Sequence, residues 1–237
     1  MTEIRNYDNV AEVAQAAAEN AVEILQRAVE TTGHAVWVLA GGTSPMSAYK
    51  KIVLDFADAV DWSLVTVLMG DERMVFLDDK DSNWGTIIPI FESNEHTSLV
   101  KQLVPHIHKS PELTAEDYQQ QIHDAGITTF DLVWIGVGED GHTLSLFPEN
   151  DAFKVPTDSL VVAVHDSPKP PSDRISLSLR AAEHISELVI FATGENKRDI
   201  LRQARLKGGV PVAVFAEVAE AHGAEVRWLY DAAAWEE

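Results

Sequence analysis

The chain has no cysteine, so disulfides, thiolate nucleophiles and cysteine-based zinc sites are excluded. Basic residues are scarce too: Lys and Arg total 18 against 38 for Asp and Glu, a formal charge of -20. Nucleic acid and anionic membranes both need a basic face, so neither is an expected partner. A small anionic ligand fits such a chain only if a local basic pocket overcomes the global field. No apolar run approaches the ~20 residues needed to span a bilayer. The start, Met1-Thr2-Glu3-Ile4-Arg5, lacks the basic and apolar regions of a secretory signal. A cytoplasmic protein is expected, with a monomer favoured.

Metal signals are also missing. His96, His106, His108 and His123 are scattered through a polar middle section with no carboxylate or third imidazole at ligand spacing. Asp79, Asp81 and Asn83 begin a calcium-loop pattern, but Trp84 occupies the required glycine position and Ile90 that of the bidentate glutamate. No metal and no cofactor are expected. Repeats, low-complexity tracts and linkers are absent as well.

What is present suits a globular enzyme. At 237 residues with 46% hydrophobic content the chain can bury a full core. Residues 10–30 carry Val13, Ala17, Ala21, Ile24, Leu25 and Ala28 at helical spacing, with charges off that stripe. Apolar runs at 35–40, 64–69, 131–135, 160–164, 187–193 and 226–230 read as strands. Residues 175–179 alternate apolar and hydroxyl side chains, the pattern of a half-exposed strand. Helices are expected after Pro45, over 84–90 with Ser82-Asn83 as cap and Pro89 as terminator, over 114–125 with Thr114 as cap, over 197–206, and at 231–235. Strand–helix alternation from end to end predicts one α/β domain over 1–237, a mostly parallel sheet flanked by helices on both faces.

The chemistry concentrates at strand ends. Residues 131–148 run from a buried strand into Gly136, Gly138 and Gly141, then Asp140 and His142, the mouth of a site in an α/β sheet. Those glycines match the G-x-G-x-x-G spacing of a dinucleotide turn, but Pro148 forbids the long helix that must follow. After the strand at 35–40, Gly41-Gly42-Thr43-Ser44 precede a helix with Pro45 in its first turn, a natural anion cradle. Asp71-Glu72-Arg73 follow another strand end. Arg174 ends the proline-rich loop 167–173, and Lys197 stands in a first helical turn where the dipole disfavours a cation unless an anion binds beside it. Two cations and a glycine–hydroxyl cradle suggest phosphate; an adjacent Asp and His suggest acid–base work.

Taken in order, Gly41 to Pro45, Asp71-Glu72-Arg73 with Ser82-Asn83, Gly136 to Pro148, Lys169-Pro170-Pro171 with Arg174, Gly194 with Lys197, and Trp228 to Ala234 resemble the family of glucosamine-6-phosphate isomerases and 6-phosphogluconolactonases, on its lactonase side. The resemblance runs from about residue 10 to the end. It departs from the family pattern at Thr43-Ser44, usually Ser-Thr, and at Phe76, commonly proline. It implies a Rossmann-like fold and hydrolysis of 6-phospho-D-glucono-1,5-lactone, without metal or cofactor. His142 would be the general base for water and Asp140 would orient it. Arg73 or a glycine N–H of the central loop would serve the oxyanion. Asp71 would line the substrate site, and Gly41, Gly42, Thr43, Ser44, Arg174 and Lys197 would hold the phosphate. Two rivals have distinguishing features. An amino-sugar-phosphate deaminase of this fold needs an acid shortly after the histidine, where Ser145-Leu146-Phe147-Pro148 stand. A non-catalytic sugar-phosphate sensor of the regulatory kind carries a DNA-binding module, for which the charge leaves no face.

Overall fold

A computed structural model describes residues 2–235, with 205–207 described by backbone alone. The chain opens with strand β1 (Thr2–Tyr7) and helix α1 (Val10–Thr32). Asn9 caps α1 by accepting from the Glu12 N–H, and Gly33, at φ 82°, closes it in the left-handed region that glycine tolerates. Then come β2 (Ala35–Leu39), α2 (Thr43–Asp55), β3 (Val65–Met69), the short β4 (Asp71–Arg73) and α3 (Asn83–Glu92). The middle holds β5 (Lys101–Leu103), α4 (Pro111–Asp124), β6 (Phe130–Gly136), a single turn α5 (Asp151–Lys154), β7 (Val161–Val164) and β8 (Arg174–Leu177). The chain finishes through β9 (Ile185–Ala192), α6 (Arg198–Lys207), α7 (Pro211–Ala221) and β10 (Glu225–Asp231).

Seven strands form one parallel sheet in the order β1-β10-β9-β6-β2-β3-β5. From β2 the chain steps outward through β3 and β5; from β6 it steps the other way through β9 and β10. The reversal falls between β2 and β6. There the two strands pair through Trp37–Leu132 and Val38–Val133, whereas β6 stays paired with β9 out to Gly136. A crevice at the carboxyl ends of strands at such a switch point is where open α/β sheets bind ligands.

Strand alternation sends side chains to two cores. Trp37, Leu39, Val67, Trp134 and Phe191 meet α1, α2 and α3 on one face. Val36, Val38, Val133, Ile135 and Ile190 meet α4, α6 and α7 on the other. Trp134 lies 4.8 Å edge-on to Trp37 and 5.0 Å from a stacked Tyr49, contacts each adding about 0.5–1.5 kcal/mol beyond area burial. Two buried tyrosines finish the strand ends from opposite faces. The Tyr49 hydroxyl accepts from the Ala40 N–H and donates to its carbonyl; Tyr118 does the same at Met69. Each satisfies backbone groups that the diverging strands would otherwise leave unpaired. Among the described residues, no helix is long and apolar enough to cross a membrane.

The mostly parallel sheet with helices on both faces is as expected, but a second sheet was not. β4, β8 and β7 form a three-stranded antiparallel sheet packed against the α4 side. It explains why the strand beginning at Arg174 is fully buried rather than half-exposed: Ser176 donates to the Leu177 carbonyl and accepts from the Ser145 N–H. Helix α3 runs through Pro89 to Glu92, because Ile87, Ile88 and Phe91 bury in the core while the proline ring faces outward. Helix α4 starts at Pro111 with Ser110 as cap, accepting from the Leu113 N–H, so Thr114 lies inside the helix and its hydroxyl accepts instead from the His108 N–H. The last expected helix is a turn after β10, pinned where the Asp231 carboxylate accepts from the Ala234 N–H. Strands β1 and β5 and helix α7 are further elements that the apolar pattern did not reveal.

Candidate active site

A cavity of about 410 Å³ opens at the switch point, lined by the loops after β2, β6 and β9, by β4, and by loop 167–173. That volume lies within the ordinary range for small-ligand pockets. The structure brings Gly41, Gly42, Thr43, Ser44, Asp71, Arg73, His142, Arg174 and Lys197 to its wall together. Asp140 stands behind His142.

The loop after β6 is built to present the imidazole. Gly138 donates to the His142 carbonyl at 2.8 Å, and a Cβ at Gly138 would collide with the ring itself. Gly141, at φ 82°, is anchored by the Val212 N–H on α7, and Thr143 donates to the Gly136 carbonyl at 2.9 Å. His142 Nδ1 hydrogen-bonds the Asp140 carboxylate, which fixes the tautomer with Nε2 free. Its ring packs on buried Phe147 at 4.5 Å. Burial lowers the His142 pKa below 6.5; the Asp140 bond and charge oppose this without cancelling it, and Lys169 adds to the lowering. His142 is therefore neutral and able to take a proton near pH 7.

Helix α2 begins at Gly42, φ 90°, with no side chain capping its first N–H groups. Gly42, Thr43 and Ser44 at this uncapped end line the cavity, an arrangement suited to an anion. Across the cavity Lys197 precedes α6 in a 3-10 turn rather than lying inside the helix. Burial depresses its pKa, Glu139 raises it and Lys169, which also lines the cavity, lowers it again.

The Asp71-Glu72-Arg73 stretch divides its labour. Glu72 is fully buried. It accepts from the Arg73, Asn83 and Trp84 N–H groups at 2.7–2.8 Å and from the Ser82 hydroxyl at 3.0 Å. It fills the N-terminus of α3 and is structural; burial raises its pKa and these backbone donors oppose the rise. Asp71 accepts from the Ser145 hydroxyl at 2.6 Å and lines the cavity. Arg73 gives one N–H to the Asp81 carbonyl, while its Nε has no partner. Phe76 points outward, 82% exposed, so its departure from the family pattern leaves the cavity charges in place.

Two residues differ from the sequence reading in weight. Arg174, expected on the phosphate, is 4% exposed and spends its guanidinium mainly on the protein. Nε donates to the Pro171 carbonyl at 3.0 Å, and Nη2 to Lys169 at 2.8 Å and Pro170 at 3.4 Å. Lys169, not singled out as a ligand, lines the cavity instead. Its signal was its place in the same proline-rich loop, but a lysine between prolines does not by itself show which way the loop faces. Asn83, Thr193 and Asn196 also reach the wall, with Ser44 and Thr193 hydroxyls 2.7 Å apart. The first acid after Pro148, Glu149, pairs with Lys154 and does not line the cavity.

The family model of glucosamine-6-phosphate isomerases and 6-phosphogluconolactonases matches residues 8–228. The chain belongs to this family. Within it, a 6-phosphogluconolactonase of Streptomyces coelicolor is 32% identical over 94% of this chain and 89% of its own length. A human 6-phosphogluconolactonase is 31% identical, covering 83% of this chain and 78% of its own length. The crystal structure of a 6-phosphogluconolactonase from Shewanella baltica superposes with a TM-score of 0.85 at 26% identity, covering 98% of both chains.

Proposed function

We propose that this protein hydrolyses 6-phospho-D-glucono-1,5-lactone to 6-phosphogluconate, as a single-domain cytoplasmic monomer. The observation that carries the reading is the pairing, in one cavity, of a neutral His142 locked to Asp140 with an uncapped helix N-terminus and two lysines. His142 Nε2 takes a proton from water as its oxygen attacks the lactone carbonyl. The C–O π electrons move onto the carbonyl oxygen, and Arg73, with an unused Nε, stabilises the charge. Collapse of the tetrahedral intermediate breaks the bond from the carbonyl carbon to the ring oxygen, which takes the proton that His142 removed from water and becomes a hydroxyl. Asp140 holds the imidazolium formed in between. The α2 N–H groups, Thr43, Ser44 and Lys197 hold the phosphate, and Asp71 faces the sugar hydroxyls. Ester cleavage of a reactive ring needs positioning and one base, which this arrangement supplies.

The test is hydrolysis of the lactone, generated in place and corrected for spontaneous opening, by the wild-type protein and by His142→Ala. The wild type should turn over, and the variant should lose ~10²- to 10⁴-fold in kcat with an unchanged thermal midpoint. Near-normal turnover by the folded variant would remove His142 from the mechanism. Tight binding of 6-phosphogluconate without any turnover would make the protein a sensor.

A further inference from the structure

Loop 167–173 closes on itself through Ser167, which donates its hydroxyl to the Lys169 carbonyl at 2.9 Å and its N–H to the Ser172 carbonyl at 3.0 Å, and it is clasped from the β8 side by one further side chain. The planar guanidinium of Arg174 grips three successive carbonyls, those of Lys169, Pro170 and Pro171. Its third nitrogen donates to the Ser145 hydroxyl at 3.4 Å, and Ser145 in turn donates to Asp71. The group lies over the ring of Phe147 at 5.6 Å, the ring that also supports His142. Five donors in a fixed fork suit such a clasp, and a guanidinium so engaged has little left for a ligand. Lys169 presents the reverse case. Its carbonyl accepts from Arg174 at 2.8 Å and from the Ser167 hydroxyl at 2.9 Å, it lines the cavity, and it has no ion pair among the described residues. It shares the cavity wall with His142 and Lys197, and its charge is felt at both. Glu139 and Asp140 offset part of the charge at Lys197, but Lys169 and Lys197 still repel each other, and an anion bound in the cavity both line relieves that repulsion.

We propose that Lys169 is a further substrate-binding residue, the second cation on the phosphate beside Lys197, and that Arg174 is a positioning residue that presents it rather than a phosphate ligand. This rests on the lactonase reading for its kinetic readout. The specificity of the site for a phosphorylated over an unphosphorylated lactone is thus set in part by how Arg174 clasps the loop that carries Lys169.

The experiment is a double-mutant cycle on Lys169→Ala and Arg174→Gln. The readout is the ratio of kcat/KM for 6-phosphogluconolactone over gluconolactone, with the Kd of 6-phosphogluconate measured by calorimetry. Each single variant should lower the ratio about 10-fold or more through KM, and the double variant should fall no further than the worse single one. Fully additive losses would mean that Arg174 touches the phosphate itself and would overturn the positioning role. An unchanged ratio in Lys169→Ala would overturn the lysine's role. If Arg174→Gln lowers the melting point, Arg174→Lys replaces it: it keeps the charge but loses the fork, so a positioning role predicts a lowered ratio and direct phosphate contact a preserved one. If the wild type turns over neither lactone, the functional reading fails, while weaker 6-phosphogluconate binding in both variants would still support the clasp.

Discussion

Two helices end at the same crevice and treat their N-termini in opposite ways. At α3 the protein fills the end with its own groups: Ser82 accepts from the Gly85 N–H, and buried Glu72 accepts from those of Asn83 and Trp84. At α2 no side chain caps the first turn, and Gly42 at φ 90° keeps the backbone open to the cavity. Both ends carry the same partial positive charge, worth about 0.3–1 kcal/mol to a nearby anion at an exposed site and more when partly buried. One helix end is therefore structural because its anion is covalently part of the chain, and the other is available to a ligand because nothing was built there.

The largest effect expected from breaking this contrast is at Glu72. Replacing it by Ala leaves three N–H groups and a hydroxyl without their acceptor in a buried place. Thermal unfolding should show a loss of about 3 kcal/mol, on the order of 10 °C in Tm for a chain this size. A change within 1 °C would mean that Glu72 does not hold α3.

The complementary change adds a carboxylate where the protein has none. Thr43→Asp should stabilise the fold by about 0.3–1 kcal/mol through the α2 dipole, yet raise KM for the phosphorylated lactone ~10- to 100-fold, because it occupies the anion site. Lower stability together with unchanged KM would equate the two helix ends and end the comparison.

A smaller effect separates the carboxylates themselves. Glu72 serves backbone, whereas Asp140 serves an imidazole that burial holds below its ordinary pKa of 6.5. The acid limb of the kcat/KM profile should accordingly lie below pH 6.5, since activity is lost only as His142 gains a proton. Asp140 raises that pKa, so Asp140→Asn should move the limb to still lower pH while cutting kcat at least ~10-fold through loss of the charged orienting partner. In Glu72→Gln the limb should keep its place. A limb moving upward in Asp140→Asn would contradict the sign assigned to the pair.

Much of the site was legible in the sequence because it is local. Asp140 and His142 are two residues apart on a glycine loop, and the Gly41–Ser44 turn announces itself between an apolar run and a proline. The strands β2, β6 and β9 were equally plain, being apolar for most of their length. What escaped depends on distant pairing or on backbone. The small sheet joins Asp71–Arg73 to Arg174–Ser176, about a hundred residues away, and nothing in a three-residue strand signals it. The charge of Arg174 is visible in the sequence, whereas the three carbonyls to which it donates are not. The role of Glu72 stays open in the sequence, where it stands between Asp71 and Arg73; only the fold turns it inward to α3.

The most direct test of the contrast is an amide chemical-shift titration of the ¹⁵N-labelled protein with 6-phosphogluconate. The account predicts saturable shifts of the Thr43 and Ser44 N–H resonances, with those of Asn83 and Trp84 nearly still. Larger shifts at Asn83 and Trp84, or binding that leaves Thr43 and Ser44 unmoved, would contradict it.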